Sequence, residues 1–120
     1  MPVTLSSPLN VFGGNTDMTD LIQLTTGATG AINLTATSRP IQLIQTSGAT
    51  TVTLPAAAAW TGQFITIKRV EVAGATPSGH TVTINNAAGS ALAVLPVSKL
   101  GEASFYSNGT AIYAWAADNA

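Results

Sequence analysis

The sequence predicts an all-β protein: a short-stranded sandwich, roll or barrel-like module with one short helical turn and an extended N-terminal arm. Three observations carry this expectation. Apolar and polar residues alternate in Thr51-Val52-Thr53-Leu54, Phe64-Ile65-Thr66-Ile67, Thr81-Val82-Thr83-Ile84 and Ala111-Ile112-Tyr113-Ala114-Trp115, a period of two suited to a half-buried pleated surface. Turn signals fall between such runs at Thr26-Gly27, Thr29-Gly30, Ser47-Gly48, Ser78-Gly79, Asn85-Asn86 and Asn108-Gly109, the spacing of short strands in a sandwich or barrel. Hydrophobic residues make up 46% of the chain and its net charge is -1, which rules out disorder over most of its length.

Taken in order, residues 1 to 40 read as an arm and attachment segment, loosened by Pro2, Pro8, Gly13-Gly14, Gly27, Gly30 and Pro40. Within it, Ile22 to Leu24 and Ala31 to Leu34 are short strand candidates. The apolar arm residues Val3, Leu5, Leu9, Val11 and Phe12 have too little pattern for a core of their own. They are expected to lie on the module, a sister subunit or another protein.

Residues 41 to 120 read as the β module, beginning with strand candidates Ile41 to Ile44 and Thr51 to Leu54. Pro55-Ala56-Ala57-Ala58-Ala59-Trp60 then joins a proline suited to the first helical position with the best helix former, and Thr61-Gly62 stops it. One helical turn is expected, too short to stand alone and therefore anchored on the sheet by Trp60. Gln63 to Val70 returns as a strand, a surface loop spans Ala73 to Gly79, and Thr81 to Ile84, Leu92 to Leu95, Ala103 to Tyr106 and Ala111 to Trp115 complete the module.

Composition excludes several functions. Charged residues are only 8% of the 120 residues, against about 25% in an ordinary soluble domain. The four basic residues, Arg39, Lys68, Arg69 and Lys99, form no patch able to neutralise several phosphates, so nucleic acid is not an expected partner. With no cysteine there is no disulfide, thiolate metal site or cysteine nucleophile. No apolar run approaches the roughly 18 to 20 residues of a membrane span, so no membrane role is expected. The first residues, Met1-Pro2-Val3-Thr4-Leu5, lack the basic and long apolar regions of a signal peptide, and the mature chain is expected to begin there. A surface this poor in charge favours association, and an oligomer is expected.

Candidate chemistry is sparse. The single histidine, His80, precedes a strand and reads as a solvated loop residue, since no Gly-x-Ser-x-Gly elbow supplies a nucleophile for it. Asp17 and Asp20 lack the spacing, central glycine and terminal glutamate of an EF-hand loop, and a capping or turn role is favoured over a weak calcium site built across subunits. Lys68-Arg69-Val70-Glu71 reads as charge guarding a sheet edge rather than an anion site, because alternation sends Lys68 and Arg69 to opposite faces. Glu71, Glu102 and Asp118 are scattered, giving no pair about 5 to 10 Å apart for glycosidase work. No catalytic residue, metal site or cofactor is expected.

Six of the seven aromatic residues, Trp60, Phe64, Phe105, Tyr106, Tyr113 and Trp115, lie in the β module. Most should be core. Tyr106 and Tyr113, facing across the Asn108-Gly109 hairpin, and Trp115, alternating with Ile112 and Ala114, are instead a possible ligand or partner surface.

Between residues 41 and 115 the sequence resembles a module of tailed-phage virion proteins, found in head fibres, decoration proteins and tail-fibre segments. The resemblance rests on an order of phrases: Ile41 to Ala49, Thr51-Val52-Thr53-Leu54-Pro55-Ala56-Ala57, Gly62 to Arg69, His80 to Ile84, and Ser104 to Tyr113 with its small-residue-Gly-Thr hairpin. It implies a β-rich homotrimer on the virion surface with no catalytic site to carry across. A short product beginning at Met1 departs from a long fibre and favours a stand-alone capsid decoration, or cement, protein. The expectation is a structural protein on the outer capsid surface that stabilises the major capsid protein lattice, with arm residues Val3, Leu5, Leu9, Val11 and Phe12 as capsid contacts. The alternative is a fibre or adhesin module that recognises host glycan through Tyr106, Tyr113 or Trp115.

Overall fold

The computed structural model describes residues 20–97 and 100–117. Among the described residues seven strands dominate: β1 (Ile22–Asn33), β2 (Ile41–Thr53), β3 (Phe64–Arg69), β4 (Val82–Asn85), β5 (Ala91–Leu95), β6 (Glu102–Ser107) and β7 (Ile112–Ala117), with a 3-10 turn at Ala57–Trp60. The fold is all-β, as the alternation predicts. The strands form one sheet in the order β5-β4-β2-β3-β6-β7, with β1 also paired to β2, and it curls into a nearly closed, barrel-like body.

Two pairs of short strand candidates prove to be two long strands. Ile22 to Leu24 and Ala31 to Leu34 belong to the continuous β1, and Ile41 to Ile44 and Thr51 to Leu54 to the continuous β2. The glycines between them serve as irregularities inside strands rather than turns. Gly27 and Gly30 have φ of 64 and 73, where side chains are disfavoured, and the β1–β2 register shifts at both places. Gly48 answers a different need: a Cβ there would lie 2.3 Å from Thr29 Oγ1. The boundary drawn at residue 40 therefore falls between two paired strands of the same sheet.

β2 organises the body. Along one edge it pairs with β1 in parallel; along the other it pairs in parallel first with β3 (Ile41↔Thr66 to Ile44↔Arg69) and then with β4 (Thr50↔Val82 to Thr53↔Asn85). β3 starts level with the beginning of β2, so the link from Leu54 to Gln63, which includes the 3-10 turn, must carry the chain back over the length of β2. A straight strand of that length at about 3.3 Å per residue would outrun the link. β2 is therefore bent, and its two halves serve the two sides of the body: β3, β6 and β7 on one, β4 and β5 on the other.

The even-numbered residues of β2 face inward. Ile44 and Val52, with Leu54 just past the end of the strand, join Ile65 and Ile67 of β3, Val82 and Ile84 of β4, Leu95 of β5, and Ala103 and Phe105 of β6 in one buried cluster. Each large member contributes about 1.5–3 kcal/mol by leaving water. Trp60 seals one end: it is buried, and its indole N–H donates to the Pro55 carbonyl at 2.9 Å, the anchoring that the helical turn requires.

The β6–β7 hairpin is tied to this end. The buried Ser107 hydroxyl donates to the Ala57 carbonyl at 2.6 Å, while the Ser107 carbonyl accepts from the Gly62 N–H at 2.7 Å. Asn108 Oδ1 accepts from the N–H groups of Thr110 and Ala111 at 2.9 and 2.8 Å. Gly109 (φ 94) lies so close to Thr61 that a Cβ would sit 2.8 Å from its hydroxyl.

Lys68 and Arg69 take opposite faces, but the edge-guarding role assigned to them is corrected: β3 lies between β2 and β6. Arg69 is buried at the core margin, where its guanidinium donates to the carbonyls of Pro96 and Ser78 and to the Ser78 hydroxyl. Burial pushes its pKa down, with the Glu71 carboxylate opposing that shift. Glu71 accepts from the Ser78 N–H and from Gln45 Nε2, each at 3.0 Å. These two charges tie the loop after β3 back onto the sheet.

Candidate functional site: an exposed aromatic sheet face

Residues paired across a sheet share a face, so the registers define what the β1-β2-β3-β6-β7 half presents outward. One row runs Leu24, Leu43, Lys68, Glu102; the next runs Ile22, Ile41, Thr66, Ser104, Trp115; the third runs Phe64, Tyr106, Tyr113. Leu24, Phe64, Tyr113 and Trp115 retain 54%, 54%, 55% and 50% of their exposure, and Ile22, Ile41, Leu43 and Tyr106 are half-buried beside them. Folding therefore leaves an aliphatic group on β1 and β2 and an aromatic group on β3, β6 and β7 in water on one face, with Thr66, Ser104, Lys68 and Glu102 between them.

Alternation produces this face, because the same strands must also fill the core. In β3, Ile65 and Ile67 point inward and Phe64 outward; in β6, Phe105 is buried and Tyr106 faces out. The exposed rings pack on one another: Phe64 lies 5.0 Å from Tyr106, centroid to centroid, and 5.9 Å from Trp115 at 82°. Tilted and edge-on contacts of this kind suit the aromatic quadrupole. Asn108 Nδ2 donates to the Tyr113 hydroxyl at 3.4 Å, steadying the outer edge of the cluster. The charged pair on the face, Lys68 and Glu102, is joined at 2.9 Å.

The outward face of the other half differs. Its rows are Ala31, Thr51, Thr83, Val94 and Asn33, Thr53, Asn85, Ala91, mostly small and hydrogen-bonding side chains. Val94 on this side and Val72, Val97 and Leu100 outside both faces are also exposed, but the exposed aromatic rings gather on the β3-β6-β7 side.

The structure brings together the three aromatic residues singled out in the sequence, Tyr106, Tyr113 and Trp115, and adds Phe64, which the sequence reading left with the expected core. Its position opposite Ile65 was the available signal. Beside Phe64 a recess of about 270 Å³ is lined by Thr35, Ser38, Pro40, Trp60 and Gln63, giving the aromatic edge a polar rim. The arm residues Val3, Leu5, Leu9, Val11 and Phe12, and Asp17 of the calcium alternative, lie outside the described residues. Asp20 and His80 are exposed, and among the described residues no three of His, Asp and Glu come together as a metal site would require.

Comparison with protein-family models, curated proteins and solved structures finds no match to this chain.

Proposed function

We propose that this is a structural virion protein: a capsid decoration (cement) protein that binds and stabilises the major capsid protein lattice as a homotrimer on the outer capsid surface. The observation that carries the proposal is the exposure of Leu24, Phe64, Tyr113 and Trp115 on one sheet face of a chain with so little charge. Exposed patches of this kind mark sites of protein–protein contact. The phrases from Ile41 to Tyr113 that resemble phage virion modules supply the biological setting.

The action is mechanical. A protein that binds the mature lattice, and not the opened one, shifts the equilibrium toward the closed shell by mass action. In this reading the arm, through Val3, Leu5, Leu9, Val11 and Phe12, makes the capsid contacts, including strand addition through its backbone. Deleting residues 2 to 12 should abolish binding to heads while the β module stays folded and associated. A deletion variant that binds heads normally contradicts it.

A second reading, a fibre or adhesin module binding host glycan, is favoured by one observation: the Phe64, Tyr106 and Trp115 cluster beside the polar rim of Thr35, Ser38 and Gln63. Flat rings next to hydroxyl and amide groups suit sugar faces. This reading requires glycan binding that Trp115→Ala removes; absence of binding to any host surface polysaccharide rejects it.

A further inference from the structure

We infer that the outward face of β1, β2, β3, β6 and β7 is the surface on which a second copy of this chain docks. The inference rests on the homo-oligomeric reading above and deepens it by naming the face.

Area is the first argument. A buried aromatic side chain covers about 150–250 Å², so the half-exposed Phe64, Tyr113 and Trp115 leave on the order of 300 Å² of ring surface uncovered. Leu24, also about half exposed, extends this within the 300–600 Å² typical of a monomer's largest apolar patch. A standard interface takes about 800 Å² from each partner, and the face supplies about half of that before its margins are counted.

Charge is the second. Lys68 and Glu102 pair with each other, and the Thr66 and Ser104 hydroxyls bond to each other at 3.0 Å, so the centre of the face is polar but carries no net charge. The charged Arg39, at the rim, donates to the Ile22 carbonyl at 3.0 Å. A face that is neutral at its centre, with apolar flanks, meets a second copy there without charge repulsion.

The third argument is continuity at β1. Among the described strands β1 pairs only with β2, so it forms one margin of the face. None of its residues, Ile22 to Asn33, is charged or proline. Edge strands that stay solitary are commonly guarded by charge, proline or bulges; this one has only the irregularities at Gly27 and Gly30, and its regular stretch from Ile22 to Thr25 is open to coverage by another chain.

Sedimentation equilibrium of the full chain tests the inference. The unaltered protein should be a discrete oligomer. Phe64→Glu with Trp115→Glu, and separately Leu24→Glu from the opposite side of the face, should weaken association at least tenfold, with the far-ultraviolet circular dichroism of the folded module retained. Val72→Glu, at an exposed loop residue, should leave association unchanged. Because the chain has no cysteine, Tyr113→Cys introduces a sole thiol; it should cross-link copies through a short bis-maleimide, whereas Val72→Cys should not. This arm decides the matter if the glutamate variants unfold. A monomeric unaltered protein overturns the inference, as does an oligomer that survives the face substitutions. An oligomer that dissolves only when residues 2 to 12 are deleted also overturns it, by assigning the contact to the arm. Head binding is read separately: an oligomer built on this face that ignores capsids defeats the decoration reading alone, and a decorating protein whose face variants stay assembled defeats this inference alone.

Discussion

The Phe64 ring meets the Trp115 ring edge-on, 5.9 Å between centroids and 82° between planes, although β6 separates their strands. The contact spans the sheet because both residues point away from the core, where Ile65 and Phe105 lie at 4% and 0% exposure. In the isolated chain an aromatic pair is worth about 0.5–1.5 kcal/mol, too little to justify two large rings in water. Their main contribution is expected in an assembled state. Trp115→Ser should therefore lower the stability of the dissociated chain by about 1 kcal/mol but weaken the assembly by far more, as concentration-dependent thermal melts would register. Equal losses at all concentrations would argue that the ring serves the monomer only.

Trp60 gives the opposite case. Fully buried and bonded to the Pro55 carbonyl, it should cost about 3–5 kcal/mol when replaced by Ala. Trp60→Phe should cost less, since most of the volume stays and one hydrogen bond goes. Urea unfolding of both variants checks the order; a loss below about 1 kcal/mol for Trp60→Ala would refute its role as the seal of that end.

At Gly109 two effects are separable. Its φ of 94 strains any side chain, and a Cβ would also press on Thr61. Gly109→Ala should destabilise by about 1–3 kcal/mol. Adding Thr61→Ala should recover only the crowding part, so full recovery in the double variant would show that the backbone conformation costs nothing.

The register of β1 depends on Gly48, whose absent Cβ leaves room for Thr29. Gly48→Ala should loosen β1 from β2 locally, seen as faster amide exchange in Ile22–Asn33 with β4 and β6 still protected. Thr29→Ala in the same chain should restore protection. Unchanged exchange in the single variant would mean that the Thr29 side chain simply rotates aside.

Arg69 holds two distant segments at once, through the carbonyls of Ser78 and Pro96. Arg69→Met keeps the apolar stem and removes the donors, leaving those carbonyls to compete for water; the expected cost is about 3 kcal/mol, since bonds to charged groups are the stronger ones. Ser78→Ala, which removes one acceptor, should cost about 1 kcal/mol. The two losses reversed in size would misplace the centre of the network.

Much of this arrangement could be read from the sequence. Period-two alternation located β3, β4 and β7, and parity set Tyr113 and Trp115 on the face opposite Ile112 and Ala114 without saying which of the two faces out. Pro55 and the alanines signalled the helical turn, and Trp60 its anchor. The glycines of β1 and β2 misled, because a glycine that permits a bulge or a close strand approach has the same local signature as one in a turn. Alternation with Ile65 signals that Phe64 points outward, but its meeting with Tyr106 and Trp115 depends on the β3–β6–β7 registers, which no local pattern encodes. Arg69 was opaque for the same reason, as its partners lie at Ser78 and Pro96.

The proposed role as a lattice protein is tested most directly by the copy number of this chain in purified virions, measured by quantitative mass spectrometry with the major capsid protein as internal standard. The account predicts hundreds of copies in fixed ratio to the capsid protein. A handful of copies, or none, would contradict it, and a handful would move the protein to a tail or a single vertex, with the Phe64, Tyr106 and Trp115 cluster as the place to seek a host glycan.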